Sequence, residues 1–288
     1  MGKLVKRVYL FATVAKLVAY FFIYELIFIA AGQYVSYLLY NYLAEPITYK
    51  DFIISTSDIA QQYSSNGVAV GMLLSSLATI GHLLVFKYVR ISKGFLHEVK
   101  RNVLVLSTLF IGCMMIAFNI IAVWLGLENN FQKEIDMMLN SGIGIISIAI
   151  IGPVLEELLF RGAIQGTLLH FFNKPWVAII IASLLFGAIH GNPVQTFYAT
   201  CMGIGFGWIY YRTGSLLPAI VGHIVNNSLA VISNSLYGPE ATEEIVNNTT
   251  ADITTVIVAV IFAALLAYVI NRTLPAVPKP WHEASEML

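Results

Sequence analysis

Runs of apolar residues long enough to cross a lipid bilayer organise this chain. A helix needs about 20 mainly apolar residues to traverse a hydrocarbon core roughly 30 Å thick. Eight candidate runs are present, at 8–43, 67–89, 103–127, 142–172, 175–190, 194–211, 216–237 and 253–270, those at 175–190 and 194–211 being short. The first is too long for a secretory signal and has no small-residue cleavage site before polar sequence. Charged residues make up 11% of the 288 and hydrophobic residues 58%, against roughly 25% charged in globular domains. Too few charges are available to cover a water-facing surface, and the same composition excludes disorder. A net charge of zero offers no basic face to nucleic acid. Cys113 and Cys201 both lie in apolar runs, too few for a disulfide framework or a thiolate metal site. The expected fold is an all-α polytopic membrane protein, a bundle of eight transmembrane helices in a single integral membrane domain over residues 1–288.

Charge placement fits that count. With the N-terminus inside, alternate loops assign Lys3, Lys6, Arg7, Lys87, Arg90, Lys93, Lys100, Arg101, Lys174, Arg212, Arg272 and Lys279 to the cytoplasmic side, twelve of the 16 basic residues. Only Lys50 and Lys133 fall outside, while Lys16 and Arg161 fall within runs. The bias is that of the positive-inside rule and places both termini in the cytoplasm. Acidic residues run the other way, with Glu45, Asp51, Asp58, Glu128, Glu134, Asp136, Glu240, Glu243, Glu244 and Asp252 outside and Glu98, Glu283 and Glu286 inside. The segment 87–101 reads as a basic cytoplasmic loop, and 275–288 as a polar end.

An ionisable side chain at mid-membrane costs at least about 2.5–3.5 kcal/mol on insertion scales, so each one needs a reason. Lys16, Glu25 and His82 stand alone in sequence and read as a snorkelling lysine and bundle-facing polar contacts. The second half of the chain is denser. Glu157 and Arg161 are spaced i, i+4 and can pair along one helix face. Glu156 is rotated about 100° from Glu157, away from that arginine, and Pro153 upstream removes a backbone donor. One carboxylate is thus neutralised along its helix and the other is left available, and a carboxylate withdrawn from water is a stronger proton acceptor. Phe186 and His190 also share a face, and 191–193 (Gly-Asn-Pro) ends that helix directly after the histidine. His223 and Asn227, again i, i+4, can aim two donors at one oxygen, as oxyanion stabilisation requires, or can bond between helices. Gly203, Gly205 and Gly207 are suited to close helix packing. The set as a whole suits water activation and carbonyl polarisation. A zinc alternative would use Glu156, His190 and His223 as ligands, although no His-Glu-x-x-His is present. A proton-coupled transporter would also use buried Glu and His, but no inverted repeat is visible. Straight helices would leave His190 about 22 Å along its run and His223 about 10 Å along the other, at different depths.

Glu156-Glu157…Arg161, Phe186…His190 and His223…Asn227 together resemble the three motifs of the CAAX protease and bacteriocin-processing (CPBP) family of intramembrane glutamate endopeptidases. The likeness covers 152–227, about a quarter of the chain, and marks 142–237 as a catalytic core. It implies an eight-helix bundle with a membrane cavity and peptide-bond hydrolysis in a membrane-anchored peptide or protein, without a cofactor. It further implies Glu156 as general base, His190 as water holder and His223 with Asn227 as oxyanion site, supported by Glu157, Arg161 and Phe186. The sequence around 211–218 suits the bacterial branch, hence a multi-pass plasma-membrane protein, with bacteriocin processing or a non-catalytic adaptor or immunity role among that branch's uses.

The topology predicts a labelling pattern for single cysteines introduced into a variant lacking Cys113 and Cys201. A membrane-impermeant maleimide should label Lys50→Cys in intact cells and Lys100→Cys only after permeabilisation; the reverse pattern would invert the orientation.

Overall fold

A computed structural model of the chain describes residues 3–89, 99–127, 132–172, 174–238, 246 and 249–274. Several sequence-based expectations lie outside these residues: the topology charges Arg90, Lys93, Glu98, Glu128, Glu240, Glu243, Glu244, Lys279, Glu283 and Glu286, and the polar end at 275–288.

Among the described residues there are eight long helices and no strand. They are α1 (Lys3–Leu43), α2 (Asp58–Val85), α3 (Arg101–Trp124), α4 (Gly142–Phe171), α5 (Pro175–Ala188), α6 (Pro193–Thr213), α7 (Leu217–Tyr237) and α8 (Thr249–Thr273). Two short helices, Tyr49–Ile54 and Gln132–Leu139, lie between long ones. The all-α expectation holds, because only a helix satisfies every backbone donor and acceptor within its own segment in lipid. The helices fall where the eight apolar runs predicted them, but the count of eight crossings is not established. Five, namely α1, α2, α3, α4 and α8, are long and apolar enough to cross a membrane. With 14 residues α5 rises only about 21 Å. The 21-residue α6 and α7 carry polar side chains such as Tyr198, His223, Asn226 and Asn227. Those side chains face the site described below, so the helices that build it cannot also be uniformly apolar.

Two apolar cores share α6. One joins Leu17 and Phe21 of α1, Leu83 of α2, Leu155, Phe160 and Ile164 of α4, and Phe186 of α5. The other joins Ile111 of α3, Met202 and Phe206 of α6, Ala219 of α7 and Ile270 of α8. Half of the apolar window of α4 is buried, against a third or less for the other four long apolar helices. That makes α4 the central element, while Leu26 of α1 and Ile257, Ile261 and Leu265 of α8 present exposed stripes suited to lipid.

Close approach of α1 and α2 depends on small residues. Gly32 faces the backbone of Gly67 and Gly71, and Gly71 faces the backbone of Phe28 and Ile29. Without water-driven collapse between apolar surfaces, backbone proximity of this kind is what packs helices together in a membrane. A methyl group on Gly71 would lie 2.6 Å from the Ile29 Cα and has no flexible neighbour to displace. Gly71→Ala should therefore destabilise by about 1–3 kcal/mol, as overpacking does. Gly81→Ala, whose added methyl meets nothing within 4 Å, should leave the detergent unfolding midpoint unchanged or raised.

Candidate active site

The site occupies the seam between the two cores, and its shape begins with α4. Two stretches of that helix, Ser147–Ile151 and Glu157–Gln165, wind as wide π-turns, a departure that recurs at functional sites. Gly152 N–H bonds the Ser147 carbonyl five residues back. In that register the next donor, for the Ile148 carbonyl, would be residue 153, and Pro153 has no N–H. The Asn227 side chain of α7 takes its place, Nδ2 donating to the Ile148 oxygen at 3.0 Å. A proline in α4 thus creates the acceptor that anchors an asparagine of α7.

Glu157 and Arg161 pair as their spacing predicted, Nη1 donating to Oε1 at 2.8 Å, with the two side chains 0% and 1% exposed. The guanidinium lies 4.3 Å from the Phe186 ring centre and 5.3 Å from that of Phe206, a cation–π enclosure on two sides. Gly203 leaves room for it, since a methyl group there would stand 3.0 Å from Nη2. Gly207 does the same for buried Gln165, whose Nε2 donates to the Gly207 carbonyl at 2.8 Å. These glycines serve packing, as the sequence suggested.

Glu156 is the exposed member of the pair of glutamates, its side chain 21% accessible. Sequence spacing left it without a cation on its own helix, and its partner comes from α7. His223 stands between the two carboxylates, Nδ1 at 2.9 Å from Glu157 Oε1 and Nε2 at 3.5 Å from Glu156 Oε2. A carboxylate ion only accepts, so Nδ1 carries a proton and donates to Glu157. Nε2 then faces a second carboxyl group, that of Glu156. His223 is 4% exposed and stacked on Phe206, ring centres 4.6 Å apart.

His190 lies just beyond the end of α5. Its Nδ1 donates to the Phe186 carbonyl at 2.8 Å; because a carbonyl cannot donate, the Nε2 of a neutral ring is left as an acceptor. Gly191, at φ 63°, turns the chain there, and Asn192 caps α6 by accepting from Val194 N–H at 3.2 Å. The Phe186 ring meets both imidazoles edge-on, at 5.1 Å from His190 and 5.9 Å from His223.

The depth mismatch expected from straight helices disappears for a geometric reason. Leu216, at the start of α7, lies against Gly162 of α4. From that level α4 continues nine residues to Phe171, about 14 Å, before the chain turns into α5. The climb of about 22 Å to His190 then nets about 8 Å, close to the 10 Å by which His223 rises along α7.

Of the three isolated groups in the first half, Lys16 is exposed on α1. His82 Nδ1 bonds the Tyr24 hydroxyl at 3.0 Å among the rings of Tyr20, Phe86 and Tyr88. Both match their expected bland roles. Glu25 is half-buried toward the bundle and close enough to Glu156 for their charges to interact. Its rarity as a carboxylate in a long apolar run was the available signal. Among the described residues no three His, Cys, Asp or Glu side chains are grouped so as to hold a metal ion.

Comparison with known proteins gives a consistent picture. The family model described as type II CAAX prenyl endopeptidase, Rce1-like, matches residues 139–229, which contain every motif residue above. Over 105 residues the chain is 34% identical to "Putative membrane peptidase YdiL" of Bacillus subtilis, covering 36% of this chain and 43% of that protein. Over 119 residues it is 34% identical to "Membrane-embedded CAAX protease MroQ" of Staphylococcus aureus, covering 39% and 47%. The chain thus spans less than half the length of these curated relatives. No solved structure matches. The family resemblance read from the three motifs is borne out.

Removing Arg161 would leave Glu157 buried with its formal countercharge gone and only the His223 contact retained, at a cost of about 3–5 kcal/mol. Arg161→Met should sharply lower the yield of folded protein. Adding Glu157→Leu should restore much of the yield, measured by size-exclusion chromatography in detergent.

Proposed function

We propose that the chain is an intramembrane endopeptidase that hydrolyses a peptide bond of a membrane-anchored peptide or protein by glutamate-activated water. The observation that carries this reading is a partly accessible carboxyl, Glu156, 3.5 Å from the Nε2 of a buried histidine whose other nitrogen is tied to Glu157. The family match over 139–229 supports it.

In this reading Glu156 takes a proton from a water that also donates to Nε2 of His190, and the hydroxide attacks the scissile carbonyl. Negative charge leaves Glu156 as it appears on the carbonyl oxygen. The Nε2–H of His223, facing Glu156 at rest, then donates to that oxyanion together with the second N–H of Asn227. The protonated Glu156 delivers its proton to the leaving amine. Glu157, fixed by Arg161, holds His223 as the doubly protonated ring that this donation requires, and Phe186 spaces the two imidazoles. No metal takes part. The orientation with both termini cytoplasmic in a bacterial plasma membrane belongs to the same proposal.

The test is reconstitution in phosphatidylethanolamine–phosphatidylglycerol vesicles with internally quenched membrane-anchored peptides, a prenylated Cys-aliphatic-aliphatic-X peptide among them. Glu156→Ala and His190→Ala should each lower kcat by 10³-fold or more, with folded yield retained. Cleavage should persist in 1,10-phenanthroline. Undiminished cleavage by Glu156→Ala would overturn the mechanism, and stoichiometric zinc whose removal abolishes cleavage would replace it with a metal one.

A further inference from the structure

Behind Asn227 runs a chain of hydrogen bonds that the reaction scheme does not use. The Tyr198 hydroxyl of α6 donates to Asn226 Oδ1 at 2.7 Å. Asn226 Nδ2 donates to Asn227 Oδ1 at 3.0 Å, and Asn227 Nδ2 donates to the Ile148 carbonyl at 3.0 Å. Asn226 is 7% exposed. Every link runs in one direction, from phenol to amide to amide to backbone, across three helices.

Direction matters because the two ends of a primary amide are nearly equal in size and opposite in hydrogen-bonding character. Turned over, Asn227 would present oxygen where nitrogen had been, and an oxyanion approaching it would meet repulsion. Its orientation is set at both ends, since the Ile148 carbonyl accepts only N–H and Asn226 Nδ2 offers only N–H. Asn226 has its own orientation set in turn, because a Tyr198 hydroxyl that donates must find Oδ1.

We infer that Tyr198 and Asn226 are positioning residues that fix the orientation of the Asn227 amide, and with it the direction in which its second N–H can donate. This rests on the reading of Asn227 as an oxyanion donor. Loss of one such donor lowers kcat by about 10²–10³-fold; loss of its orientation, leaving a mixed population, lowers it less.

The experiment compares Tyr198→Phe, Asn226→Asp, their double variant and Glu156→Ala in vesicles with the prenylated Cys-aliphatic-aliphatic-X peptide. It also records the side-chain amide NMR signals of Asn-labelled protein in nanodiscs, assigned with Asn227→Asp. Tyr198→Phe should lower kcat about 10-fold with KM within twofold and an unchanged unfolding midpoint. Asn226→Asp keeps the acceptor for Tyr198 but has no N–H for Asn227, so it should lose about 10²-fold. The double variant should be no worse than Asn226→Asp alone, because both act through one chain. In the nanodisc spectra Tyr198→Phe should shift the Asn227 amide pair. Wild-type kcat in Tyr198→Phe, losses that multiply in the double variant, or unmoved Asn227 signals would each overturn the inference. If Glu156→Ala cleaves as well as wild type, or no cleavage occurs at all, the hydrolase reading falls instead, and the amide signals alone decide whether the chain orients Asn227.

Discussion

A charge buried at the centre of an apolar bundle has to be neutralised on the spot, and the Glu157–Arg161 pair meets that demand here. Neither side chain has meaningful access to solvent. Isolated, each would cost several kcal/mol, and together they still need polar or polarisable surroundings. The surroundings follow from that need. Phe186 and Phe206 face the guanidinium, Gly203 makes way for it, and His223 brings a second donor to Glu157 Oε1. The same rings then hold the two histidines, so a structural requirement of the pair also sets the spacing of the exposed chemistry. A buried ion pair is weak evidence for stability but a strong determinant of arrangement.

Pro153 has a comparable reach. It removes one donor from a helix already wound wide, and the acceptor it leaves is bonded by a side chain three helices away in sequence. Backbone irregularity within a membrane is tolerated where neighbouring side chains satisfy the freed groups. At this position the neighbour is itself a motif residue, so the widened turn and the site share one hydrogen bond.

Much of this was legible in the sequence, and what was not has identifiable causes. Apolar run length located all eight helices, because lipid imposes one local rule on every span. The i, i+4 spacings revealed the pairing of Glu157 with Arg161 and the shared face of Phe186 and His190, because both are properties of one helix. Relations between helices were hidden. That His223 lies between both glutamates depends on how α7 packs against α4, and no local spacing encodes it. The approach of Glu25 on α1 to Glu156 on α4 was hidden in the same way, since nothing in its own neighbourhood points there. The predicted difference in depth between His190 and His223 assumed that α5 and α7 start level, and they do not, because α4 runs on below Gly162 before the chain turns. Five of the eight helices are long and apolar enough to cross a membrane; the other three, built from the runs at 175–190, 194–211 and 216–237, carry polar side chains of the site.

The shortness of α5 has a consequence for the lipid around it. Trp176, Ile180 and Leu184 form its exposed stripe, so acyl chains meet this helix directly. An apolar cylinder of about 21 Å cannot match a layer of about 30 Å. Lipid on that flank must compress, or water must dip to meet the helix end. Because His190 sits just past that end, such thinning would fall beside it, and in the proposed hydrolysis the bilayer would belong to the route by which water arrives.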